Sequence, residues 1–320
     1  MRPSASSVNG SGGAKTTASS ARSPAAYTRG TLSEGRKSRK PGRAGENCSP
    51  ATSLVGIDAQ VRMAVTALAA VTIAGCSAPG FLLPEGELLR DVYVRGSPAV
   101  PAVALTFDDG PNGRCTEAVL DALAEHGTRA TFFVLGANVA TGRNDSLLAR
   151  MVRDGHTIGI HGHTHLVPPL FHERLIRREI RTALAAVDRA LRHAGVADPP
   201  RVAFFRPPFG LVTGTTARVA AEAGLVIVEW TVSVGDWHAG RRAEDVTAAV
   251  LARVRPGDVI VLHDGVETHQ RSVECCVDRV AVAETVRRLV PALHERGLHV
   301  APLAELLGFE AGLTSSRRRL

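Results

Sequence analysis

Two neighbouring aspartates, Asp108 and Asp109, follow an apolar run and precede a Gly-Pro break in the stretch TFDDGP. An ordinary turn needs a single Asp or Asn, so two adjacent carboxylates indicate that the side chains have different roles. Further along the chain, His161, His163 and His165 place three imidazoles within five residues. Two imidazoles and one carboxylate, with a position left for water, form a recurrent catalytic metal site. These residue types therefore favour metal-assisted hydrolysis.

The spacing of the histidines leaves the choice of ligands open. His161 and His165 are four residues apart, so they meet on one side of a helical turn. If the segment is extended, all three histidines share a face, and His163 can replace one of the other two. Asp109 is the carboxylate candidate.

The elements that must position these residues are short apolar runs alternating with helix-like stretches. The predicted strands are Val103–Phe107, Ala130–Leu135, Thr157–Ile160, Val202–Phe205, Val226–Val232, Val259–Leu262 and His299–Ala301. The predicted helices are Thr116–Glu125, Ser146–Arg153, Glu173–His193, Thr215–Ala223, Ala243–Val254 and Val277–Arg296. Glycines that suit a left-handed cap follow five of them, namely Gly127, Gly155, Gly195, Gly224 and Gly297. The alternation predicts an α/β fold with a parallel sheet.

Polar residues cluster where predicted strands end. They are Asp108-Asp109, the histidines of HGHTH, Arg206, Asp236-Trp237 and His263-Asp264. In a closed or nearly closed α/β barrel these strand ends face one rim, where active sites form. We therefore expect the five groups to meet, although Asp264 also suits a simple capping role.

Five motifs resemble the polysaccharide deacetylase family, also called carbohydrate esterase family 4 or the NodB homology domain. TFDDGP is similar to the first motif, which implies Asp108 as catalytic base and Asp109 as metal ligand. HGHTH resembles the second, through the ligands His161 and His165, with Gly162 where the family has Ser or Thr. The resemblance implies a distorted (β/α)7-type barrel of parallel strands, with the active site at their C-terminal ends.

RPPFG is similar to the third motif, in which Arg206 holds the base and Phe209 supplies a backbone N–H to the oxyanion. The family usually has Tyr at the position of Phe209. SVGDW resembles the fourth motif and keeps Asp236 and Trp237, but Ser233 replaces its first Asp. VLHD resembles the fifth, which implies that Leu262 lines the acetyl pocket and that His263 is the general acid.

Two of these roles have simpler alternatives. Asp236 either orients His263 or forms a structural ion pair with Arg206. Trp237 is either a wall for the sugar or a core residue.

The resemblance implies a hydrolase that uses one divalent metal, zinc or alternatively cobalt or another ion, to remove acetyl groups. The substrate class is an N-acetylated or O-acetylated glycan such as peptidoglycan or a chito-oligosaccharide. One alternative is another metal-dependent barrel amidohydrolase with His161 and His163 as a ligand pair. The second is a non-catalytic, glycan-binding lipoprotein, to which the changes at Phe209 and Ser233 would point. We expect a monomer.

The charge distribution argues against nucleic-acid binding. The 320-residue chain has a net charge of +7, but residues 1–62 hold ten of its 38 basic residues and three of its 31 acidic ones. The remaining 28 residues of each sign cancel, so the folded part is neutral overall.

The N-terminal part predicts export. Residues 1–60 read as a disordered extension, and residues 61–76 as a signal peptide ending in a lipobox whose Cys76 becomes the lipid anchor. The true start then lies near Val61 or Met63. We expect a lipoprotein at the extracellular face of the membrane, or a secreted protein; an uncleaved anchor or a buried helix is the alternative.

Three segments follow: a linker with a short lead-in over 77–98, the catalytic domain over 99–308, and a tail over 309–320. If the chain is exported, Cys115 can form a disulfide with Cys275 or Cys276.

Overall fold

The computed structural model describes residues 92–167, 172–265, 276 and 279–309. The predicted extension, the signal peptide and the lipid anchor Cys76 lie outside this part of the chain. Among the described residues, no helix has both the length and the apolar character needed to cross a bilayer.

A sheet of parallel strands forms the centre of the domain. The strands are β1 (Val92–Tyr93), β2 (Ala102–Asp108), β3 (Thr131–Val134), β4 (Thr157–Ile160), β5 (Phe204–Phe205), β6 (Val226–Val228), β7 (Val259–His263) and β8 (His299–Val300). Their order is β1-β6-β5-β4-β3-β2-β7, and β8 pairs with β2. A bridge from Val232 to Ile260 connects the chain after β6 with β7, so the curled sheet is nearly closed. This confirms the predicted α/β barrel class.

Helices connect the strands. They are α1 (Gly113–Glu125), α2 (Gly136–Ala140), α3 (Asp145–Arg153), α4 (Glu173–His193), α5 (Gly214–Glu222), α6 (Ala243–Leu251), α7 (Val280–Glu295) and α8 (Leu303–Leu306), with a 3-10 turn at Pro208–Gly210. The glycine caps are confirmed, since all five predicted glycines have positive φ angles between 59° and 84°. Only glycine adopts this conformation without steric cost.

Strand alternation gives the sheet two distinct faces. Val103, Leu105 and Phe107 of β2 pack in the larger hydrophobic cluster, with α1, α3, α4, α6 and α7. Ala102 and Ala104 belong to the smaller cluster on the opposite, inner face. Because side chains alternate along a strand, Thr106 and Asp108 also lie on the inner face. The catalytic candidates of β2 therefore point away from the helical layer.

The structure differs from the expected elements at several places. Strand β1 lies within the predicted linker and pairs with β6. The strand expected over Val226–Val232 ends at Val228, because the chain then changes neighbours: Glu229 N still bonds to Tyr93, whereas Thr231 N bonds to β7. Helices α2 and α8 were not predicted, since five and four residues are too few to show helical periodicity.

The predicted C-terminal tail also begins inside the packed domain. The ring of Phe309 lies 5.1 Å from that of Tyr93 and 5.9 Å from that of Phe204. This aromatic contact joins the chain after α8 to the inner cluster.

Candidate active site

Asp108 and Asp109 are adjacent in sequence, but their carboxylates face different groups. Asp108 Oδ1 lies 2.7 Å from a guanidinium nitrogen of Arg206. Asp109 Oδ1 lies 3.7 Å from His161 Nε2 and 3.5 Å from His165 Nε2. Asp109 has a φ of 71°, a left-handed conformation that turns the chain directly after β2. Asp tolerates this conformation better than most residues, which explains how neighbouring carboxylates serve two sites.

Arg206 follows β5 and is completely buried. Its guanidinium donates to Asp108, to Thr106 Oγ1 at 2.8 Å and to the carbonyls of Val228 and Glu229. It also lies 4.0 Å above the ring of Phe133. The four oxygen acceptors and the aromatic ring fix the orientation of the Arg206 side chain. Arg206 in turn fixes the position of the Asp108 carboxylate.

Asp109, His161 and His165 form a group whose ligand atoms all lie within 4.8 Å of one another. Ligands about 2.1 Å from a tetrahedral zinc ion stand about 3.4 Å apart, close to the measured spacings from Asp109. His161 Nδ1 donates to the carbonyl of Arg206 at 2.7 Å, which leaves Nε2 as the free ligand atom. Burial lowers the pKa of both histidines to about 3, so both are neutral, as a metal ligand must be. The donor set fits a divalent ion.

His163 lies outside this group. The loop carrying it is held by Glu179 of α4, whose Oε2 accepts the backbone N–H groups of His163 and Thr164 at 2.9 and 2.7 Å. The His163 ring packs beside Gly136, where a Cβ would stand 2.6 Å from Nδ1. The structure thus brings His161 and His165 to Asp109 and turns the histidine between them toward α2 and α4.

His263 and the buried Asp236 form a second pair. The Nδ1–H of His263 faces Asp236 Oδ1 at 3.0 Å, and the His263 backbone N–H donates to Oδ2 at 2.7 Å. Burial acts to lower the pKa of His263, but the carboxylates of Asp236, Asp109 and Asp108 together raise it to about 9. Asp236 is thus paired with His263, and the alternative ion pair with Arg206 is not formed.

Two aromatic side chains border the site. Trp237 is 43% exposed, and its edge-on ring lies 4.7 Å from that of His263. Phe209 is 50% exposed and lies 4.5 Å from the ring of His165. Phe209 and Gly210 both have left-handed φ angles, 63° and 66°, and a Cβ at Gly210 would stand 2.9 Å from Trp230. Glycine is therefore required where this turn passes over Trp230.

Leu262, expected to line the acetyl pocket, is not brought to the site. It is completely buried in the larger cluster, on the helix side of β7. Alternation along the strand puts Val261 on the same face as His263. The sequence does not show which residue of the apolar run Val259–Leu262 faces the site, because all of its positions are similarly apolar.

Several polar residues around the site were not predicted as functional. Thr106 bonds to Arg206, and Asn138 Nδ2 donates to the carbonyl of Asp109 at 2.8 Å. Asp264 is fully buried against Gly110 and accepts a hydrogen bond from Thr116; burial raises its pKa to about 7. Thr106 stands inside a motif, but nothing in the sequence marks Asn138.

Glu229 is the most isolated of these residues. Both carboxyl oxygens are buried with no hydrogen-bond partner among the described residues. Burial raises its pKa to about 8, although the nearby Arg206 guanidinium acts in the opposite direction. The carboxyl lies under the Phe209-Gly210 turn, with Oε2 3.4 Å from where a Cβ of Gly210 would stand.

A disulfide joins Cys115 of α1 to Cys276, just before α7. The sequence allowed either of two neighbouring cysteines as partner, and the structure selects Cys276. The bridge connects the helix that follows Asp108-Asp109 with the segment that follows His263.

Comparisons with known proteins agree with this arrangement. A family model described as polysaccharide deacetylase matches residues 95–228. A chitooligosaccharide deacetylase of Bradyrhizobium sp. (strain ANU 289) is 39% identical over 208 residues, covering 64% of this chain and 90% of that protein. A peptidoglycan-N-acetylglucosamine deacetylase of Bacillus cereus is 33% identical over 205 residues, covering 64% of this chain and 67% of that protein.

Solved structures show the same similarity. The crystal structure of a peptidoglycan N-acetylglucosamine deacetylase in complex with 4-naphthalen-1-yl-N-oxidanyl-benzamide is 28% identical, with a TM-score of 0.60. The match covers 71% of this chain and 98% of that one.

Proposed function

Because the chain belongs to the polysaccharide deacetylase family, we propose that it hydrolyses N-acetyl groups of a glycan of the chito-oligosaccharide or peptidoglycan type with the help of a divalent metal ion. The observation that carries this proposal is the separation of the two carboxylates: Asp109 faces two neutral imidazoles, whereas Asp108 faces Arg206. A carboxylate bound to a metal is a poor base, so this division leaves Asp108 available for proton transfer.

The metal site would consist of Asp109, His161 and His165, and zinc suits these ligands best, with cobalt as the alternative. When bound, such an ion supplies a Lewis acid that polarises the acetyl carbonyl and makes a water easier to deprotonate. Asp108 accepts the proton of the attacking water. Arg206 holds Asp108 in place and compensates its charge when the carboxylate is buried.

The backbone N–H of Phe209 is our candidate donor to the tetrahedral oxyanion. The left-handed turn at Phe209 and Gly210 is held over Trp230, and the ring of Phe209 touches His165, so the peptide stands beside the metal ligands. One such donor is worth about 2.7–4 kcal/mol in comparable sites. This role needs only the main chain, which is why Phe can stand where the family usually has Tyr.

His263 is positioned as the general acid. Asp236 accepts its Nδ1–H, so Nε2 is the atom that carries the transferable proton. With a pKa of about 9, the imidazolium is the main form at neutral pH, which allows it to protonate the leaving amine. Trp237 stands edge-on beside this ring and is exposed enough to contact a sugar.

We also propose that the protein acts outside the cytoplasm, on a glycan of the cell envelope. The lipobox-like segment ending at Cys76 is the basis for this location. The Cys115–Cys276 disulfide supports it, because such bridges persist in oxidising compartments. Mass spectrometry of the native N-terminus tests it: a lipid-modified Cys76 is expected, and an unprocessed N-terminus would contradict it.

The proposed reaction is tested by acetate release from N-acetylglucosamine oligomers and from peptidoglycan, together with the metal content of each variant. Asp108→Asn should keep the metal and lose about 10²–10⁴-fold in kcat, the usual range for a missing general base. Asp109→Ala should lose both metal and activity. A wild-type protein that binds zinc and releases no acetate from any N-acetyl glycan would instead be a binding protein. An active Asp108→Asn variant would refute the assigned base.

A further inference from the structure

The positive charge of helix α4 is not fully balanced by acidic residues on the helix or next to it. The helix contains six arginines and three acidic residues, in a domain that is neutral overall. All three acids are engaged. Glu173 pairs with Arg177 and Arg218, Glu179 holds the histidine loop, and Asp188 pairs with Arg192.

The other four arginines of α4 are Arg174, Arg178, Arg181 and Arg189. All are exposed, and none forms an ion pair with another described residue. Their spacing of four, three and eight residues puts them on one side of the helix, in a stripe that also contains Ala185. The stripe thus concentrates uncompensated charge along one line of the surface.

The C-terminal half of this stripe borders an open groove of about 430 Å³. Arg181 and Arg189 stand eight residues apart on its α4 side, about 12 Å along the helix axis. Thr182 adds a hydroxyl, and Ala140 of α2 and Ala186 are small lining residues. Small residues between two guanidinium groups allow a narrow chain to approach the helix closely.

His163 connects the groove with the candidate active site. Its side chain lines the groove, while its neighbours His161 and His165 face Asp109 on the other side of the same loop. Glu179 of α4 holds this loop through two backbone N–H groups, so the groove and the ligand loop are parts of one fixed unit.

We propose that this groove of α4 binds a linear anionic glycan, whose carboxylate or phosphate groups pair with Arg181 and Arg189. Guanidinium groups bind both kinds of anion in a bidentate manner, which suits a polymer with regularly spaced charges. The proposal goes beyond the deacetylase reaction, because it concerns binding at residues that do not face the candidate metal ligands.

The chemistry of the groove favours a glycan over other polyanions. Single-stranded nucleic acids are usually held by aromatic stacking, and no aromatic ring except the imidazole of His163 lines the described groove. A helix lying on a lipid surface exposes a broad apolar face, whereas the apolar face of α4 is buried in the core. An open groove flanked by Arg181 and Arg189 suits an extended sugar chain that carries anionic groups.

The test measures binding of the full-length protein to oligogalacturonate, which carries carboxylates, to phosphorylated dextran, to neutral dextran and to phosphatidylglycerol vesicles, by calorimetry at about 20 mM salt. Arg181→Gln/Arg189→Gln is compared with Arg129→Gln/Arg255→Gln. The control pair is exposed, loses the same charge and lies before β3 and β7, at the opposite ends of the strands. Thermal unfolding confirms that each variant is folded.

We expect the wild type to bind at least one anionic polymer and not neutral dextran, with affinity falling as salt is added. The groove variant should bind at least about tenfold more weakly, and the control within about twofold. Equal weakening in both variants would mean a response to net charge alone and would overturn the proposal. Failure to bind either anionic polymer would also overturn it, as would binding only to phosphatidylglycerol vesicles. Because no turnover is measured, these results are independent of the proposed reaction.

Discussion

Arg206 donates a 2.7 Å hydrogen bond to Asp108 Oδ1, although Arg206 is completely buried and Asp108 almost so. Removing two charges from water is costly unless they remain paired and hydrogen-bonded. The other donors of Arg206 are satisfied by Thr106 Oγ1 and two backbone carbonyls, so the pair is stable in this environment. The hydrogen bonds of Arg206 that make the burial of these two charges energetically tolerable also orient the carboxylate of Asp108, the proposed base.

Replacing one member of this pair should be more harmful than replacing both. Arg206→Gln leaves a buried carboxylate without its counter-ion, and we expect it to lower the free energy of unfolding by about 3–5 kcal/mol. Arg206→Gln/Asp108→Asn has no isolated charge and should recover part of this loss, as measured by urea denaturation. A double variant whose loss equals the sum of the losses of Arg206→Gln and Asp108→Asn would show that the two groups do not interact.

The pH dependence of deacetylation should reveal the interaction between Asp236 and His263. Because Asp236 helps to raise the pKa of His263 to about 9, the protonated acid persists below that pH and is lost above it. Asp236→Asn removes the nearest carboxylate, so the alkaline fall in kcat should move to lower pH by at least about one unit.

The control for this experiment is Asp245→Asn, which breaks an exposed ion pair with Arg242 on α6. It should leave the alkaline limb unchanged. If Asp236→Asn lowers kcat at every pH without moving the limb, His263 is not the titrating acid.

The disulfide should account for a large share of the stability. Cys115 and Cys276 are 161 residues apart, and a bridge closing so long a loop restricts the unfolded chain strongly. We expect Cys115→Ser to lower the free energy of unfolding by about 2–5 kcal/mol in urea. Under a reducing agent the wild type should fall to the level of the variant. A wild type that is insensitive to reduction would show that the bridge contributes nothing.

Glu229 should make the protein less stable as the pH rises. Its pKa is about 8 in the folded state against an ordinary 4.5, so between these values the folded state holds a proton that the unfolded chain has released. Stability must therefore decrease across this window, by at most about 1.4 kcal/mol per pH unit from this group. Glu229→Gln cannot ionise, and its stability relative to wild type should increase from pH 5 to pH 8.

Urea denaturation at several pH values measures this difference. Glu305→Gln on α8 replaces an exposed carboxylate and is the matched control, for which we expect a much smaller change with pH. A Glu229→Gln variant whose relative stability is the same at pH 5 and pH 8 would show that Glu229 ionises normally in the folded protein.

Much of the fold could be predicted because its signals are local. The long helix Glu173–His193 was predicted with its observed bounds, since 21 residues show the helical period clearly. Strand Thr157–Ile160 was equally well defined by its flanking Gly155 and His161. The element α2 is too short for such a signal, and the turn after β6 depends on a change of strand neighbour that no local pattern records.

For the candidate site, the sequence by itself determined which residues stand at the ends of strands and which chemistry their types allow. Asp108, Asp109, His161, His165, Arg206, Asp236 and His263 were all identified in this way. Only the tertiary structure decided which way each side chain points: His163 toward α4, Leu262 toward the helices, Cys115 toward Cys276, and Glu229 into a place where no described residue hydrogen-bonds to it. The reason is physical, because a residue's type sets what it can bind, whereas its neighbours in space come from segments far away in the chain.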